Sequence, residues 1–199
     1  MPRLWSETIE AHRRDVREAI LDTTAALVAE HGLRSVTMAQ IAERTGIGRA
    51  TLYKYFPHVE AILIACHDRH VEAHLRQLTA AREGAEDPAA RVHAVLAVYA
   101  HIVHAMSRHD LTELAAVVHR DEHATRTRRQ LHDLVRDVLA EAARDNDIRT
   151  DIIPGELATY CLHALSAAAD LPSKAAIDRL VMLTSSALRA APGKASRRR

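Results

Sequence analysis

Residues 40–56 read QIAERTGIGRATLYKYF, and this stretch decides the fold of the N-terminal part of the chain. Thr37, with a glutamine three residues later, fits a capping box and predicts a short helix over about 37–44. Gly46 permits a sharp turn, and a second short helix is expected over about 48–55, ended by the proline that follows. Two short helices joined by a glycine turn predict a helix-turn-helix.

The rest of the chain also predicts helices, because glycine and proline fall between long segments rich in Ala, Leu, Arg and Glu. A first helix is expected over about 10–31, with Gly32 in the left-handed conformation at its end. No segment shows the alternation typical of strands. Further helices are expected at about 58–83, 88–108, 110–119, 121–146, 155–170 and 173–190. The predicted fold class is all-α, with an N-terminal three-helix helix-turn-helix domain followed by a larger helical bundle.

Composition restricts the class of protein further. The 199 residues are 48% hydrophobic with a net charge of +1, and no apolar run approaches the roughly eighteen residues of a membrane span. The N-terminus also lacks the apolar stretch of a signal peptide, so we expect a cytoplasmic protein with no membrane partner. Cys66 and Cys161 lack CxxC spacing and are expected to be small core residues. Domains are predicted at 1–57 and 58–192, followed by a basic tail over 193–199 that is either disordered or a further DNA contact.

The second helix of the predicted helix-turn-helix ends in three of the six aromatic residues of the chain. A helix that enters the major groove offers base-reading groups on one face and phosphate-binding groups along its flanks. Arg49 and Ala50 stand at the helix N-terminus, where the dipole and free N–H groups suit a DNA backbone. Leu52 and Phe56, four residues apart, are expected to face inward. The alternative is that Tyr53 and the second tyrosine are only partly buried aromatic residues of a small domain.

The stretch IAERTGIGRATLYKYF, preceded by a helix ending EHG and by VTMAQ, resembles the DNA-binding region of the TetR family of bacterial transcriptional repressors. The family motif has the form T..IA...G...TLY..F, and the match covers residues 14–66. The remainder resembles the family only in length and helical layout. The resemblance implies a transcriptional regulator, not an enzyme, that represses by binding a palindromic operator as a dimer. It also makes the larger bundle a ligand-binding and dimerisation domain, whose small-molecule effector releases the DNA.

Carried over by position, the resemblance implies that Arg49 and Ala50 face bases. It also implies that phosphates are held by Thr37, Thr51, Tyr53, Lys54 and Tyr55. Tyr53 is implied to touch a base as well. Two departures from the family pattern stand out. Gly48 replaces a frequent serine and removes a side-chain cap. His58 and Val59 stand where the family usually has a cap and a backbone-binding lysine.

The resemblance places a homodimer interface on the helices at about 155–170 and 173–190, whose Ala, Leu, Ile and Val residues agree with it. Burial of the same residues in the core of one chain is the alternative. Aromatic residues are scarce beyond residue 58, so the lining suits a mainly aliphatic effector. The candidate effector residues are Tyr99, His70 and Tyr160.

Three other hypotheses stay open at the level of sequence. His67, His70 and His74 lie on one helical stripe and suggest a metal-responsive regulator of the same fold, yet the outer two are about 10 Å apart along the axis, so one ion would need a second helix. No complete metal-ligand set and no cofactor is predicted. An all-helical interaction module or an enzyme without DNA binding is the remaining alternative, although no catalytic motif is present.

Four arginines before and within the first helix are further candidates for contact with DNA. They either lengthen the DNA footprint along phosphates or a minor groove, or they are surface charges. These residues are Arg3, Arg13, Arg14 and Arg17.

Overall fold

The computed structural model describes residues 3–107 and 122–189, and within these ranges it contains helices and no strand. The elements in chain order are α1 (Arg3–His31), a 3-10 turn (Leu33–Ser35), α2 (Met38–Thr45), α3 (Arg49–Tyr55), α4 (Val59–Glu83), α5 (Pro88–Ser107), α6 (Glu122–Arg144), α7 (Pro154–Ser166), a second 3-10 turn (Ala167–Asp170) and α8 (Lys174–Ala187). The all-α prediction is confirmed. The helix expected at 110–119 and the tail at 193–199 lie outside the described residues.

Three helix ends differ from expectation. Helix α1 begins at Arg3 rather than near residue 10, because nothing after Pro2 breaks a helix even though the apolar stripe starts later. Gly32 has the expected positive φ of 79°, but its ψ of 159° lies outside the left-handed helical region, so that detail of the prediction is wrong. The helix expected over 155–170 ends at Ser166 and continues as a 3-10 turn.

The described residues form two compact units. The first runs to Val71, and the second begins at Glu72. The division therefore falls within α4 rather than at residue 57, where the sequence placed a domain boundary. The domain limits stay a prediction.

The first unit is built around an apolar core contributed by α1, α2, α3 and α4. Its largest fully buried side chains are Ile20, Leu21, Ile41, Leu52 and Ile62. A core residue of this size buried from water contributes about 1.5–3 kcal/mol to stability. This small core fixes the helix-turn-helix on the long scaffold helix α1.

Charged side chains tie α1 to its neighbours at the surface of the first unit. Arg44 of α2 donates to both carboxylate oxygens of Glu30 at 2.5 Å, and this hydrogen bonding lowers the pKa of Glu30. Arg69 of α4 pairs with Glu18 at 2.8 Å and with Asp22 at 2.7 Å. These exposed pairs orient the helices more than they stabilise them.

The second unit packs α5, α6, α7 and α8 around its own core. Val95, Leu96, Leu139 and Ile177 are buried there. Cys161 is buried in this core and Cys66 in the core of the first unit, as predicted, and burial raises their pKa values to about 12 and about 11.

A charged cluster joins three helices of the second unit. Glu141 of α6 accepts hydrogen bonds from Arg82 and from Arg91, the latter at 3.0 Å. Burial opposes ionisation of Glu141, but the two guanidinium groups outweigh it and lower the pKa of its carboxyl. The cluster therefore stays ionised and connects the ends of α4, α5 and α6.

Helix α5 is long and apolar enough, by length and composition, to cross a membrane. Its Val92, Val95, Leu96 and Ala100 are nevertheless buried against the other helices of the second unit. Its apolar character is accounted for by its position as a core helix of a bundle.

Candidate nucleic-acid interface

The first element of the interface is the N-terminus of α2. The Thr37 hydroxyl accepts a hydrogen bond from the Gln40 backbone N–H at 3.3 Å, and the Gln40 side-chain oxygen accepts from the Thr37 backbone N–H at 2.9 Å. The predicted capping box is confirmed, and it holds Thr37 exposed at the start of the helix.

The turn between α2 and α3 depends on one glycine. Gly46 adopts φ 74° and ψ 26°, a left-handed conformation that glycine reaches at little cost, and its N–H donates to the carbonyls of Ala42 and Glu43. Gly48 caps α3 with an ordinary φ of −67° and without a side-chain hydrogen bond, as expected from its missing hydroxyl. The turn fixes the angle at which α3 leaves α2.

Helix α3 has a buried face and an exposed face. Leu52 is 0% exposed and Phe56 is 5% exposed, so both face inward as predicted. Tyr55 is half-buried and packs against the core of the first unit. The alternative of a partly buried ring thus describes Tyr55 better than Tyr53, which is 55% exposed. The exposed residues of the helix are Arg49, Ala50, Thr51, Tyr53 and Lys54.

The exposed face of α3 carries the groups that major-groove readers use. Arg49 offers a planar fork of donors that fits the O6 and N7 atoms of guanine. Lys54 adds a fixed charge, while Thr51 and Tyr53 add hydroxyl groups. Because all of them project from one short helix with a free N-terminus, base reading and phosphate binding are possible at the same surface.

The end of the interface lies at the start of α4. The sequence has His58 where the family usually has a capping residue, and in the structure the Ala61 backbone N–H donates to His58 Nδ1 at 3.2 Å. His58 therefore caps α4 in place of the usual hydroxyl residue. Val59 carries no charge. It therefore cannot make the contact with the DNA backbone for which the family usually has a lysine at that position.

Arginines of α1 differ in their surroundings. The Arg17 guanidinium lies 5.4 Å from the centroid of the Phe56 ring, a cation–π contact that braces the end of α3. Arg13 is exposed and lies 3.6 Å from Glu10, and Arg14 is exposed. Arg17 thus has a contact within the protein, which weakens its candidacy as a DNA ligand.

The candidate effector residues are dispersed among different environments. Tyr99 of α5 packs against the core of the second unit, where burial raises its pKa. Tyr160 of α7 is 46% exposed. His70 is exposed and belongs to the first unit. Their joint role in an effector site stays a prediction.

The last two helices expose a different set of residues than the sequence suggested for a dimer. Ile177 and Val181 are buried in the core of the second unit. The alternative of burial within one chain therefore applies to these two residues. Met182 and Leu183 are instead 57% and 66% exposed. Their helical positions, which fall off the stripe of Ile177 and Val181, are the signal in the sequence that separates them from the core residues.

Within residues 3–107 and 122–189, no group of three or more His, Cys, Asp or Glu side chains is arranged to hold a metal ion. Several histidines instead connect helices of the second unit. His101 lies 3.2 Å from Asp178, and His104 lies 3.1 Å from the Ala168 carbonyl.

A capped helix, a glycine turn and a second helix with an exposed polar face define a helix-turn-helix protein. The profile of bacterial regulatory proteins of the tetR family matches residues 20–66. Residues 20–66 therefore match the DNA-binding region of the tetR family.

Two curated relatives are similar to about a third of the chain. The uncharacterized HTH-type transcriptional regulator Mb2274c of Mycobacterium bovis is 35% identical over 66 residues, which are 33% of this chain and 35% of that protein. The HTH-type transcriptional repressor KstR of Mycolicibacterium smegmatis is 36% identical over 67 residues, 34% of this chain and 33% of that protein. The chain thus matches about a third of the length of these relatives.

The fold of the whole chain also has solved counterparts. A transcriptional regulator of the TetR/AcrR family from Thermobifida fusca superimposes with a TM-score of 0.76 at 19% identity, covering 92% of this chain and 100% of the other. Its likeness extends over both units, although at this identity it shows the fold alone. The matched family and the curated repressor are described as regulators rather than enzymes.

Proposed function

We propose that the protein is a cytoplasmic transcriptional repressor that binds a palindromic DNA operator as a homodimer and is released by a small-molecule effector. The observation that carries this proposal is the division of α3 into a buried Leu52 and an exposed face of Arg49, Thr51, Tyr53 and Lys54. A polar exposed face is common to surface helices, but this one carries an arginine, a lysine and two hydroxyl groups and no acidic residue, which suits contact with phosphates and base edges. The repressor direction is supported by the name of the Mycolicibacterium smegmatis relative.

Dimerisation follows from the limits of one short reading helix. A single helix-turn-helix contacts few base pairs, so such proteins bind two half-sites about 34–36 Å apart or a multiple of that distance. The exposed Met182 and Leu183 of α8 and the half-exposed Tyr160 of α7 supply apolar surface for a second copy. We place the interface on the outward face of these two helices.

The effector is expected in the second unit, with Tyr99 and Tyr160 as candidate contacts. His70 belongs to the first unit and is left out of this site. The scarcity of aromatic residues favours a mainly aliphatic ligand with a few polar groups. To release DNA, the effector must bind the DNA-incompetent arrangement more tightly than the competent one.

A gel-shift assay against fragments of the source genome tests the proposal. We expect at least one fragment to be retarded in the presence of excess unrelated DNA, and retardation to decrease when the effector is added from an extract or library. Absence of competition-resistant retardation with every fragment would favour a helical interaction module instead.

Arg49→Ala is expected to relax sequence preference. If the guanidinium donates two hydrogen bonds to one guanine, its loss reduces the free-energy difference between that base and a wrong base by about 1–3 kcal/mol. Binding to unrelated DNA should change little. Competition titrations with single-base variants of the operator measure this effect. Unchanged discrimination at every base would remove Arg49 from the base-reading set.

Lys54→Ala is expected to weaken binding to all DNA sequences by the same factor. Loss of one phosphate contact per half-site reduces the slope of log affinity against log salt by about one for each half-site. The slope is obtained from binding titrations at several salt concentrations, with Arg129→Ala at an exposed position on α6 as the matched control. A Lys54→Ala slope equal to that of the wild type would mean that this lysine does not contact DNA.

A further inference from the structure

Helix α4 is tied to α1 by an arginine close to the point where the chain passes into the second unit. The Arg69 guanidinium lies 2.8 Å from Glu18 and 2.7 Å from Asp22, and both carboxylates belong to α1. Arg69 stands two residues before Val71, the last residue of α4 in the first unit. Its side chain is 29% exposed, and burial opposes its charge, but the two carboxylates outweigh burial and raise its pKa. Water therefore screens this pair less than an ordinary surface ion pair.

The carboxylate of Glu18 has a second cationic neighbour. Its Oε2 atom contacts Arg69, while its Oε1 atom lies 3.9 Å from the Arg17 guanidinium. Arg17 in turn lies over the ring of Phe56, the residue at which α3 ends. A contiguous series of contacts thus runs from the end of α3, through two neighbouring residues of α1, to α4.

These contacts matter more for the direction of α3 than for the stability of the first unit. Ion pairs at such exposure add little to stability. A planar guanidinium bound to a carboxylate nevertheless fixes the distance and direction between two helices. Base reading depends on that direction, because Arg49 must come within hydrogen-bonding distance of a base edge. A small rotation of α3 would therefore reduce specific binding and leave the attraction to phosphates largely intact.

We propose that Glu18 is a positioning residue for α3: its carboxylate holds Arg17 at the end of α3 and Arg69 on α4, and so keeps α3 in the orientation that reads DNA. The inference rests on the proposed function, since it needs α3 to lie on DNA. Its expected effect is opposite in sign to that of simple electrostatics. A carboxylate on a DNA-binding unit repels phosphates, so charge alone would make its removal strengthen binding. Loss of positioning weakens specific binding instead.

The experiment uses the full chain and two duplexes: the fragment recovered in the gel-shift assay and an unrelated duplex of equal length and composition. The variants are Glu18→Gln, Arg69→Gln and the double variant. Glutamine has a single side-chain oxygen, so it cannot hold two guanidinium groups as the carboxylate does. The readouts are the salt slope and the specificity ratio, which is the affinity for the recovered fragment divided by that for the unrelated duplex.

Glu10→Gln is the matched control. It removes the same charge from an exposed position on α1, where the ion pair of Glu10 with Arg13, at 3.6 Å, stays within one helix. Thermal unfolding of every variant checks that the fold is kept at the temperature of the binding assay.

Glu18→Gln is expected to lower the specificity ratio about tenfold, which is about threefold for each of two half-sites. Affinity for the unrelated duplex should not fall, and the salt slope should equal that of the wild type because Glu18 holds no phosphate. Arg69→Gln should lower the ratio by a similar factor. The double variant should lose no more than the larger of the two single losses, because both residues act through one pair. Glu10→Gln should keep the wild-type ratio.

Three results would overturn the inference, and they are distinguishable. If the wild type prefers the recovered fragment and Glu18→Gln keeps that preference unchanged, Glu18 does not position α3 and the proposed function stands. If the losses of Glu18→Gln and Arg69→Gln add in the double variant, the two residues do not act as a pair, and the proposed function again stands. If the wild type prefers no duplex over another, the proposed function fails and the inference fails with it.

Discussion

Leu183→Glu is expected to convert the protein from a dimer to a monomer and to abolish operator binding at concentrations where the wild type binds. Leu183 is 66% exposed on α8 beside the exposed Met182. In a two-fold symmetric interface the substitution occurs twice, and burying each carboxylate against apolar surface costs at least about 2 kcal/mol. A total of about 4 kcal/mol weakens dimerisation roughly a thousandfold. Sedimentation velocity over a range of protein concentrations measures this change.

The control for Leu183→Glu is Gln130→Glu, which adds the same charge at an exposed position on α6. That variant should remain dimeric and bind DNA like the wild type. If Leu183→Glu also sediments as a dimer and binds the operator unchanged, the interface lies elsewhere on the chain. The outward face of α7 and α8 would then be free for another partner.

Leu52→Ala is expected to destabilise the first unit by about 2–5 kcal/mol, because it leaves a cavity at a fully buried site between α3 and the rest of the core. The loss of order in α3 should abolish DNA binding while the second unit keeps its fold. Native-state hydrogen exchange of the α2 and α3 amides measures the change locally, which matters because a chain with two units need not unfold in one step.

Tyr53→Ala is the matched control one residue further along the same helix. Since Tyr53 is 55% exposed, its truncation should change stability by no more than about 0.5 kcal/mol. It should nevertheless weaken DNA binding, because it removes a proposed backbone contact. Equal destabilisation by both substitutions would mean that Tyr53 serves the fold rather than DNA.

Much of the helix-turn-helix was predictable from local rules. The capping box at Thr37, the sharp turn at Gly46 and the inward pair Leu52 and Phe56 all follow from short-range chemistry, and the structure confirms each of them. Such features depend on residues within one or two turns. They can therefore be inferred without knowledge of the tertiary fold.

The features that were missed depend on tertiary packing. Apolar periodicity identifies the faces of α8 but cannot tell which apolar residues are buried within one chain. The sequence therefore placed a dimer interface on this helix and left burial of its Ile and Val residues in the core as the alternative. Ile177 and Val181 lie in the core, whereas Met182 and Leu183 face outward. Likewise, histidine is an uncommon helix cap, so the role of His58 at α4 was visible only from the position of its ring.

The effector site was the least predictable part of the protein. A ligand pocket depends on which side chains several helices bring together, and neither helix spacing nor composition determines that arrangement. Tyr99 and Tyr160 illustrate the problem, because one lies against the core and the other is 46% exposed.

The central claim is that α3 lies in the major groove and is presented twice by a symmetric pair of chains. Dimethyl sulfate protection of the operator tests it directly, because this reagent methylates guanine N7 in that groove. We predict two protected sets related by two-fold symmetry, about 34–36 Å apart or a multiple of that distance, with both sets lost in Arg49→Ala. A single protected set, or full methylation of every guanine in a stable complex, would contradict the account.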